Sequence, residues 1–191
     1  MRIVIAGLLG GIVMFVWGFV AHMLLPLGEI GMRTLPIAQQ DAVIAAAKEG
    51  LGQEGVYMLP SFENMDDYND EAKHKAFGER ATANPYAFVV YQPTGVDVAN
   101  NMGPNLGKEA ATNVLSAIVA AFVVSFAVVG FGLRTLLVGA MGVFAWLSIS
   151  VPYWNWYRFP LEFTLANLVM QAVGWLLAGL AIAWWLGRRP A

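Results

Sequence analysis

Few residues of this sequence have side chains suited to chemistry or ligand binding, and most of these lie close to long apolar stretches. His22 stands near the end of the first apolar stretch, and Glu29 follows seven residues later, beyond Pro26. An imidazole and a carboxylate at the edge of a membrane can hold a proton or a metal ion. The alternative for His22 is a hydrogen-bonded packing role between helices, because histidine is tolerated at helix interfaces.

A dense aromatic segment is the second candidate for binding. Residues 152–161 read Pro-Tyr-Trp-Asn-Trp-Tyr-Arg-Phe-Pro-Leu, and we interpret them as a short outer loop. Tryptophan and tyrosine often anchor a protein in the headgroup layer of a membrane. The alternative is a pocket in which Trp154, Trp156 and the cation of Arg158 hold a lipid headgroup, a quinone-like ring or a partner protein.

Two amide side chains lie within the last apolar stretch. Asn167 and Gln171 are one helical turn apart, and Gly174 and Ala178 continue the same face. An amide in hydrocarbon has no water partners, so we expect both side chains to form hydrogen bonds across the helix bundle. A ligand-contacting role for the two amides is the alternative.

The common catalytic and metal-binding motifs do not occur in the sequence. There is no phosphate-binding glycine loop, no Gly-x-Ser-x-Gly and no His-Glu-x-x-His, and the chain has no cysteine and two histidines. Residues 63–71 are rich in acids but lack the glycine of a calcium loop. We interpret them as a solvated loop that leads into a helix with acids at its N-terminus. We therefore expect no cofactor and no metal site.

The elements that position these residues are four apolar stretches. Hydrophobic residues make up 58% of the chain and the mean hydropathy is +0.59. At about 1.5 Å per residue the first stretch reaches roughly 35 Å, enough to cross a membrane. The pattern predicts an all-α membrane protein with four transmembrane helices, the third near the lower length limit. The stretches are residues 3–25, 113–133, 135–151 and 162–186.

Small residues at helical spacing predict close helix packing inside the membrane. Three of the four stretches carry such a face, and the face of the first extends to His22. The positions are Gly7, Gly11 and Gly18; Ala117, Ala121 and Ser125; and Gly139, Gly142 and Ala145.

The chain divides into three predicted segments. Residues 1–25 form a transmembrane anchor that is retained, not cleaved as a signal peptide, since no small-x-small cleavage site follows. Residues 26–112 form a small α+β cap with a helix over 36–49, and residues 113–191 carry the other three transmembrane helices. Residues 55–60 and 86–91 are predicted strands that pair if they lie side by side, and residues 93–112 are a loop that returns to the membrane.

The arginines near the helix ends predict the orientation. Arg2, Arg134 in the turn between the second and third helices, and Arg188 with Arg189 all fall on one face, which the positive-inside rule makes cytoplasmic. Both termini are then inside a bacterial-type inner membrane, and residues 26–112 are extracytoplasmic. That segment carries twelve acidic and six basic residues, a net charge of about −6.

The preferred functional interpretation is a non-enzymatic accessory, assembly or interaction subunit of the inner membrane. Its outer cap and its small-residue helix faces would contact other membrane proteins or a second copy of the chain, with membrane lipids around them and no nucleic-acid partner. The alternative is a protein that binds a lipid or small ligand, with a proton or metal site at His22 and Glu29.

Overall fold

The computed structural model describes residues 1–97 and 100–188. Arg189, which contributed to the predicted orientation, lies outside the described residues. In chain order the helices and strands are α1 (Arg2–Phe19), α2 (Ile37–Gly50), β1 (Gly55–Leu59), α3 (Glu71–Ala83), β2 (Ala87–Tyr91), α4 (Gly103–Ser125), α5 (Phe131–Ala145), α6 (Val151–Tyr157) and α7 (Leu161–Gly187).

The described part of the chain is mostly helical, and four of its helices are long and apolar enough to cross a membrane. A π-helical turn at Val20–Leu24 prolongs α1, and another at Trp146–Ser150 joins α5 to α6. The predicted number of helices able to cross a membrane is confirmed, although both ends of the second and of the third were predicted wrongly. The four spans are Arg2–Leu24, Gly103–Ser125, Phe131–Tyr157 and Leu161–Gly187.

The second span starts earlier and ends earlier than predicted. Residues 103–112 belong to α4 and not to a loop, because Pro104 suits the first turn of a helix, where its missing N–H is not needed. The turn to α5 lies at residues 126–130, so Arg134 is inside α5 and not in the turn. Its guanidinium donates a hydrogen bond of 3.1 Å to the carbonyl of Ala127 and so holds the turn between α4 and α5.

The predicted aromatic loop at 152–161 is helical as far as Tyr157, which leaves only residues 158–160 as the connection. Pro152 would normally break a helix by removing one hydrogen bond and by crowding the carbonyl four residues earlier. Here the wider π-helical turn comes directly before it and rearranges those hydrogen bonds. The third span is therefore 27 residues long. It is not the marginal 17-residue span that we predicted.

Small residues make the close contacts between the spanning helices. α1 packs against α4 and α7, and α7 packs against α5, whereas α4 and α5 contact each other little. A Cβ atom added at Gly7 would lie 2.6 Å from the Cα atom of Ile118, and one at Gly11 would lie 2.5 Å from that of Val114. The Gly7 and Gly11 part of the predicted small-residue face of α1 is thus covered by α4 of the same chain, whereas Gly18 lines an open space. The core neighbours of the covered part, Ala117 and Ala121, are fully buried.

The chain folds into two compact units, one with residues 1–33 and 100–188 and the other with residues 34–97. In the second unit β1 and β2 pair antiparallel, with Gly55 opposite Tyr91 and Leu59 opposite Ala87. The two predicted strands therefore do pair. No residue of this unit whose burial the structure describes, which is every one except Met65, is buried.

An aromatic cluster takes the place of a conventional core around α3. The rings of Phe62 and Phe77 stack with centroids 4.3 Å apart, and Tyr68 and His74 contact each other at 5.5 Å. Phe62 also contacts both Tyr68 and His74 at 5.9 Å. His74 is thus a packing residue of this cluster.

The acids of residues 63–71 organise the start of α3. Asp70 caps the helix by accepting hydrogen bonds from the backbone N–H groups of Ala72 and Lys73. Asp67 forms an ion pair of 2.5 Å with the ammonium of Lys73. The predicted helix N-terminus rich in acids is confirmed.

The ion pair between Asp67 and Lys73 leads to a prediction about pH. The hydrogen bond and charge of Lys73 lower the pKa of Asp67 below 3.8, and the same hydrogen bond raises the pKa of Lys73 above 10.5. The stabilisation due to Asp67 is complete above pH 3.8 and is lost as the pH falls through its lowered pKa. The part due to Lys73 is complete below pH 10.5 and is lost as the pH rises through its raised pKa.

The measurement is an NMR titration of the Asp67 carboxyl carbon. We expect Lys73→Met to move its pKa upward, toward 3.8. Lys75→Met, which removes a lysine outside the ion pair, is the matched control and should leave the titration unchanged. Equal effects of both variants would contradict the specific pairing.

Candidate functional site

A cavity of about 590 Å³ lies between the four spanning helices, and every one of them contributes to its wall. This volume is within the usual range for small-molecule sites in proteins. Apolar atoms make up most of the wall, with polar groups among them. The polar residues are His22 from the π-helical turn after α1, Glu109, Asn113 and Ser116 from α4, Ser150 and Tyr153 from the third span, and Thr164, Asn167 and Gln171 from α7.

The imidazole of His22 is held in place from two sides. Its Nδ1 lies 2.9 Å from the carbonyl oxygen of Gly18, and because a carbonyl can only accept, Nδ1 carries the proton. In the neutral ring Nε2 is then an acceptor. The other side of the ring contacts Gly28, where an added Cβ would collide with the Cδ2 atom. A glycine at position 28 is therefore required for this position of His22.

Glu109 brings a carboxylate to the cavity that the sequence analysis missed. It lies about 9 Å along α4 from Gly103, and its Oε1 accepts a hydrogen bond of 3.1 Å from the amide of Asn113, one turn later. Glu109 was missed because residues 93–112 were interpreted as a loop, and Asn113 was the first residue of the predicted second stretch but was not recognised as a site residue. The available signal was the spacing of four between a carboxylate and an amide, which is a helical spacing.

The amides of Asn167 and Gln171 line the cavity, but their described hydrogen bonds do not cross the bundle. Asn167 donates to the carbonyl of Phe163, and the side-chain oxygen of Gln171 accepts from the indole of Trp175. The expectation of bonds across the bundle was therefore wrong, because each amide found a partner one turn away on its own helix. The Oδ1 acceptor of Asn167 and the Nε2 donor of Gln171 are available to a ligand.

Indole N–H groups, and not the amides of Asn167 and Gln171, make the hydrogen bonds between helices. Trp17 on α1 donates to the carbonyl of Met170 at 2.9 Å, and Trp146 donates to that of Thr164 at 2.7 Å. Both acceptors lie on α7, so these bonds tie α1 and the third span to it. An indole has one donor on a large apolar ring, which suits this task in a membrane.

The other predicted site residues lie apart from the cavity in the part of the chain that the structure describes. Glu29 belongs to an exposed 3₁₀ turn, and no described hydrogen bond or ion pair joins it to His22. Trp154 and Trp156 are 43% and 73% exposed on α6. Arg158 ends α6 in the left-handed conformation, with φ of 59° and its N–H bonded to the carbonyl of Tyr153.

Different aromatic residues of the same region form the cavity wall. Tyr153, Phe159 and Phe163 line it, and their rings follow one another at centroid distances of 5.5 and 5.6 Å. This wall runs from α6 across the short connection into α7. The sequence pattern indicated this aromatic segment, but the predicted residues Trp154 and Trp156 are not among those that line the cavity.

Glu162 has an explanation outside the cavity. In the first turn of α7 it suits the helix dipole, and it forms an ion pair of 2.9 Å with Arg33. Both side chains are well exposed, so the pair contributes only about 0–1 kcal/mol. The contact joins the segment after α1 to the start of α7.

The groups in the cavity are suited to recognition. One carboxylate, one imidazole, three amides, a tyrosine and three smaller hydroxyls lie in a wall that is otherwise apolar, which matches a ligand with a polar head and an apolar body. Among the described residues no group of three or more histidine, cysteine, aspartate or glutamate side chains is placed to hold a metal ion. No protein-family model, curated protein or solved structure matches the chain.

Proposed function

We propose that this chain is a multi-pass protein of a bacterial-type inner membrane that binds a small amphipathic molecule between its four spanning helices. The observation that carries the proposal is the partly open cavity of about 590 Å³, which all four helices line and which combines polar groups with an apolar wall. A helix bundle that served only as a scaffold would have no need for polar side chains around an internal space, because each costs free energy when water is removed.

The small-residue faces support binding inside the bundle over binding of a partner by these faces. Gly7 and Gly11 contact α4, Gly139 contacts α7, and Gly174 contacts Trp17 of α1. These surfaces are used within the chain. A partner protein would therefore have to bind to a surface other than these small-residue faces.

An interaction role for residues 34–97 is the second proposal, and it is compatible with the first. Not one residue of this unit whose burial the structure describes is buried, and several large apolar side chains on it are exposed. Such a unit gains stability when a partner covers it. The exposed residues include Ile37, Val43, Ile44, Val56 and Val90.

The charges at one end of the bundle support an orientation with both termini in the cytoplasm. Arg2 donates hydrogen bonds to the carbonyls of Leu186 and Arg188, so the start of α1 meets the end of α7. The guanidinium of Arg188 lies 3.6 Å from the ring centre of Trp184, an arrangement typical of a membrane interface. Residues 34–97 are then extracytoplasmic.

Native mass spectrometry of the full chain in lipid nanodiscs tests the binding proposal. We expect a bound non-protein mass in the wild type and a loss of about tenfold in its occupancy for Asn167→Leu, since one good hydrogen bond to a buried ligand contributes about 1.5 kcal/mol. Asn155→Leu is the matched control, because Asn155 is exposed on α6 and outside the cavity.

The same spectra also report a bound protein partner or a second copy of the chain. A wild type without any bound molecule, or equal occupancy in both variants, would contradict the proposed site.

A further inference from the structure

The α4–α5 interface, called the α4–α5 seam below, is packed less closely than the α1–α4, α1–α7 and α5–α7 interfaces. A second cavity of about 260 Å³ lies there, lined by Val119 and Ala120 of α4, Met141 of α5 and three further residues. Val119 is 62% exposed, so this cavity reaches the outer surface of the bundle. Val119 lies about 24 Å along α4 from Gly103, within the length of the spanning helix and away from its start.

The second cavity adjoins the large one. Ser116, Ala145 and Trp175 line both, and Trp175 comes from α7 at the back of the seam. Together the two neighbouring cavities extend from the polar groups around Gln171 and Asn113 to the outer face of α4 and α5. Apart from the hydroxyl of Ser116 and the indole N–H of Trp175, the side chains of the second cavity are apolar.

We propose that the ligand is an amphiphilic lipid that enters sideways from the bilayer, with its polar head in the large cavity and its apolar chain in the α4–α5 seam. The inference rests on the proposed function and adds the class of ligand and its route. A ligand from water would gain nothing from an apolar channel that opens at membrane depth. An apolar chain that moves from lipid into such a seam exchanges one apolar environment for another, so it loses little free energy.

A neighbouring helix is a less suitable occupant of the seam. It could cover Val119 from outside, but a helix about 10 Å across is too wide to pass Ala145 and reach the large cavity. The polar groups of Glu109 and Asn113 would then remain without a ligand. A flexible chain carrying a polar head fits both spaces at once.

The test uses palmitic acid with a photoactivatable diazirine at the end of its chain, added to the full chain in nanodiscs of phosphatidylethanolamine and phosphatidylglycerol. Peptide mapping after illumination is expected to place label on Met141 and Trp175. Val119→Trp narrows the seam from its exposed side and should lower the labelling of Trp175 by about tenfold. Val123→Trp, one turn further along α4 and 48% exposed, is the matched control and should not change it.

The outcomes separate this inference from the proposed function. Full labelling of Trp175 in Val119→Trp would overturn the lateral route, while a bound mass in the native spectra would leave the binding site intact. An unlabelled Trp175 in the wild type together with a bound polar molecule would overturn the lipid class of ligand. The labelling pattern of the wild type needs no variant, so it decides the question even if Val119→Trp does not fold. A wild type without label and without bound mass would overturn both proposals.

Discussion

Replacing Gly11 by valine is expected to force α1 away from α4 and to destabilise the spanning bundle by about 3 kcal/mol, the upper part of the range for overpacking. A Cβ atom at this position would lie 2.5 Å from the Cα atom and 2.8 Å from the backbone nitrogen of Val114. Backbone atoms cannot move aside as a flexible side chain can, so the whole helix must shift. Gly7 stands in the same relation to Ile118 one turn earlier, and its neighbourhood would be disturbed as well.

The measurement is unfolding by sodium dodecyl sulfate, followed by the fluorescence of the tryptophans. Gly132→Val is the matched control, because an added Cβ at Gly132 in α5 has no described neighbour within 4 Å. Both variants place the same β-branched residue in a helix, so propensity changes equally. Equal shifts of the unfolding midpoint would mean that the α1–α4 contact is not as close as the structure has it.

The packing of the bundle was predictable because it depends on a regular pattern. Small residues spaced by four, as at Gly7 and Gly11 or Ala117 and Ala121, form one face of a helix, and close backbone approach in a membrane requires such faces. All four of these residues are buried in the structure. The sequence did not tell which helix meets which, since any two small-residue faces can pair.

The helix boundaries were less predictable because a hydropathy pattern shows only the apolar part of a helix and not the polar turns at its ends. Residues 103–112 contain Lys108 and Glu109, and Asn113 follows directly. The run of apolar residues therefore begins about ten residues after the start of the helix. At the other end of the third span, Pro152 suggested a loop. The π-helical turn that accommodates it depends on hydrogen bonding that a sequence pattern does not display.

The site was predicted in part, and the reason lies in the same boundaries. His22, Asn167 and Gln171 were placed on inward faces of correctly recognised helices, and all three line the cavity. Trp154 and Trp156 were chosen from a segment interpreted as a loop, which has no faces. Once it is a helix, Tyr153 follows Ile149 and Ser150 on the inner face at helical spacing.

Replacing Gly18 by phenylalanine is expected to empty the cavity of its ligand without unfolding the protein. Gly18 lines the large cavity, and an added Cβ there meets no described atom within 4 Å. The phenylalanine ring would occupy space that the ligand needs. We expect the affinity for the ligand to fall by a hundredfold or more, which is about 3 kcal/mol of binding free energy. The carbonyl of Gly18 still accepts the hydrogen bond from His22, because the substitution does not alter the backbone.

The stability of the Gly18→Phe protein should be unchanged or increased although its ligand is lost, so loss of binding can be distinguished from unfolding. Phenylalanine has a better helix propensity than glycine by a few tenths of a kcal/mol, and it fills an internal space. The unfolding midpoint of the Gly18→Phe protein is therefore expected to equal or exceed that of the wild type freed of its ligand, since a bound ligand adds its own stabilisation. Gly132→Phe, at a position outside the cavity, should keep the bound mass in native spectra. If Gly18→Phe also keeps it, the ligand lies somewhere other than between the four helices, because the space that would hold it has been filled.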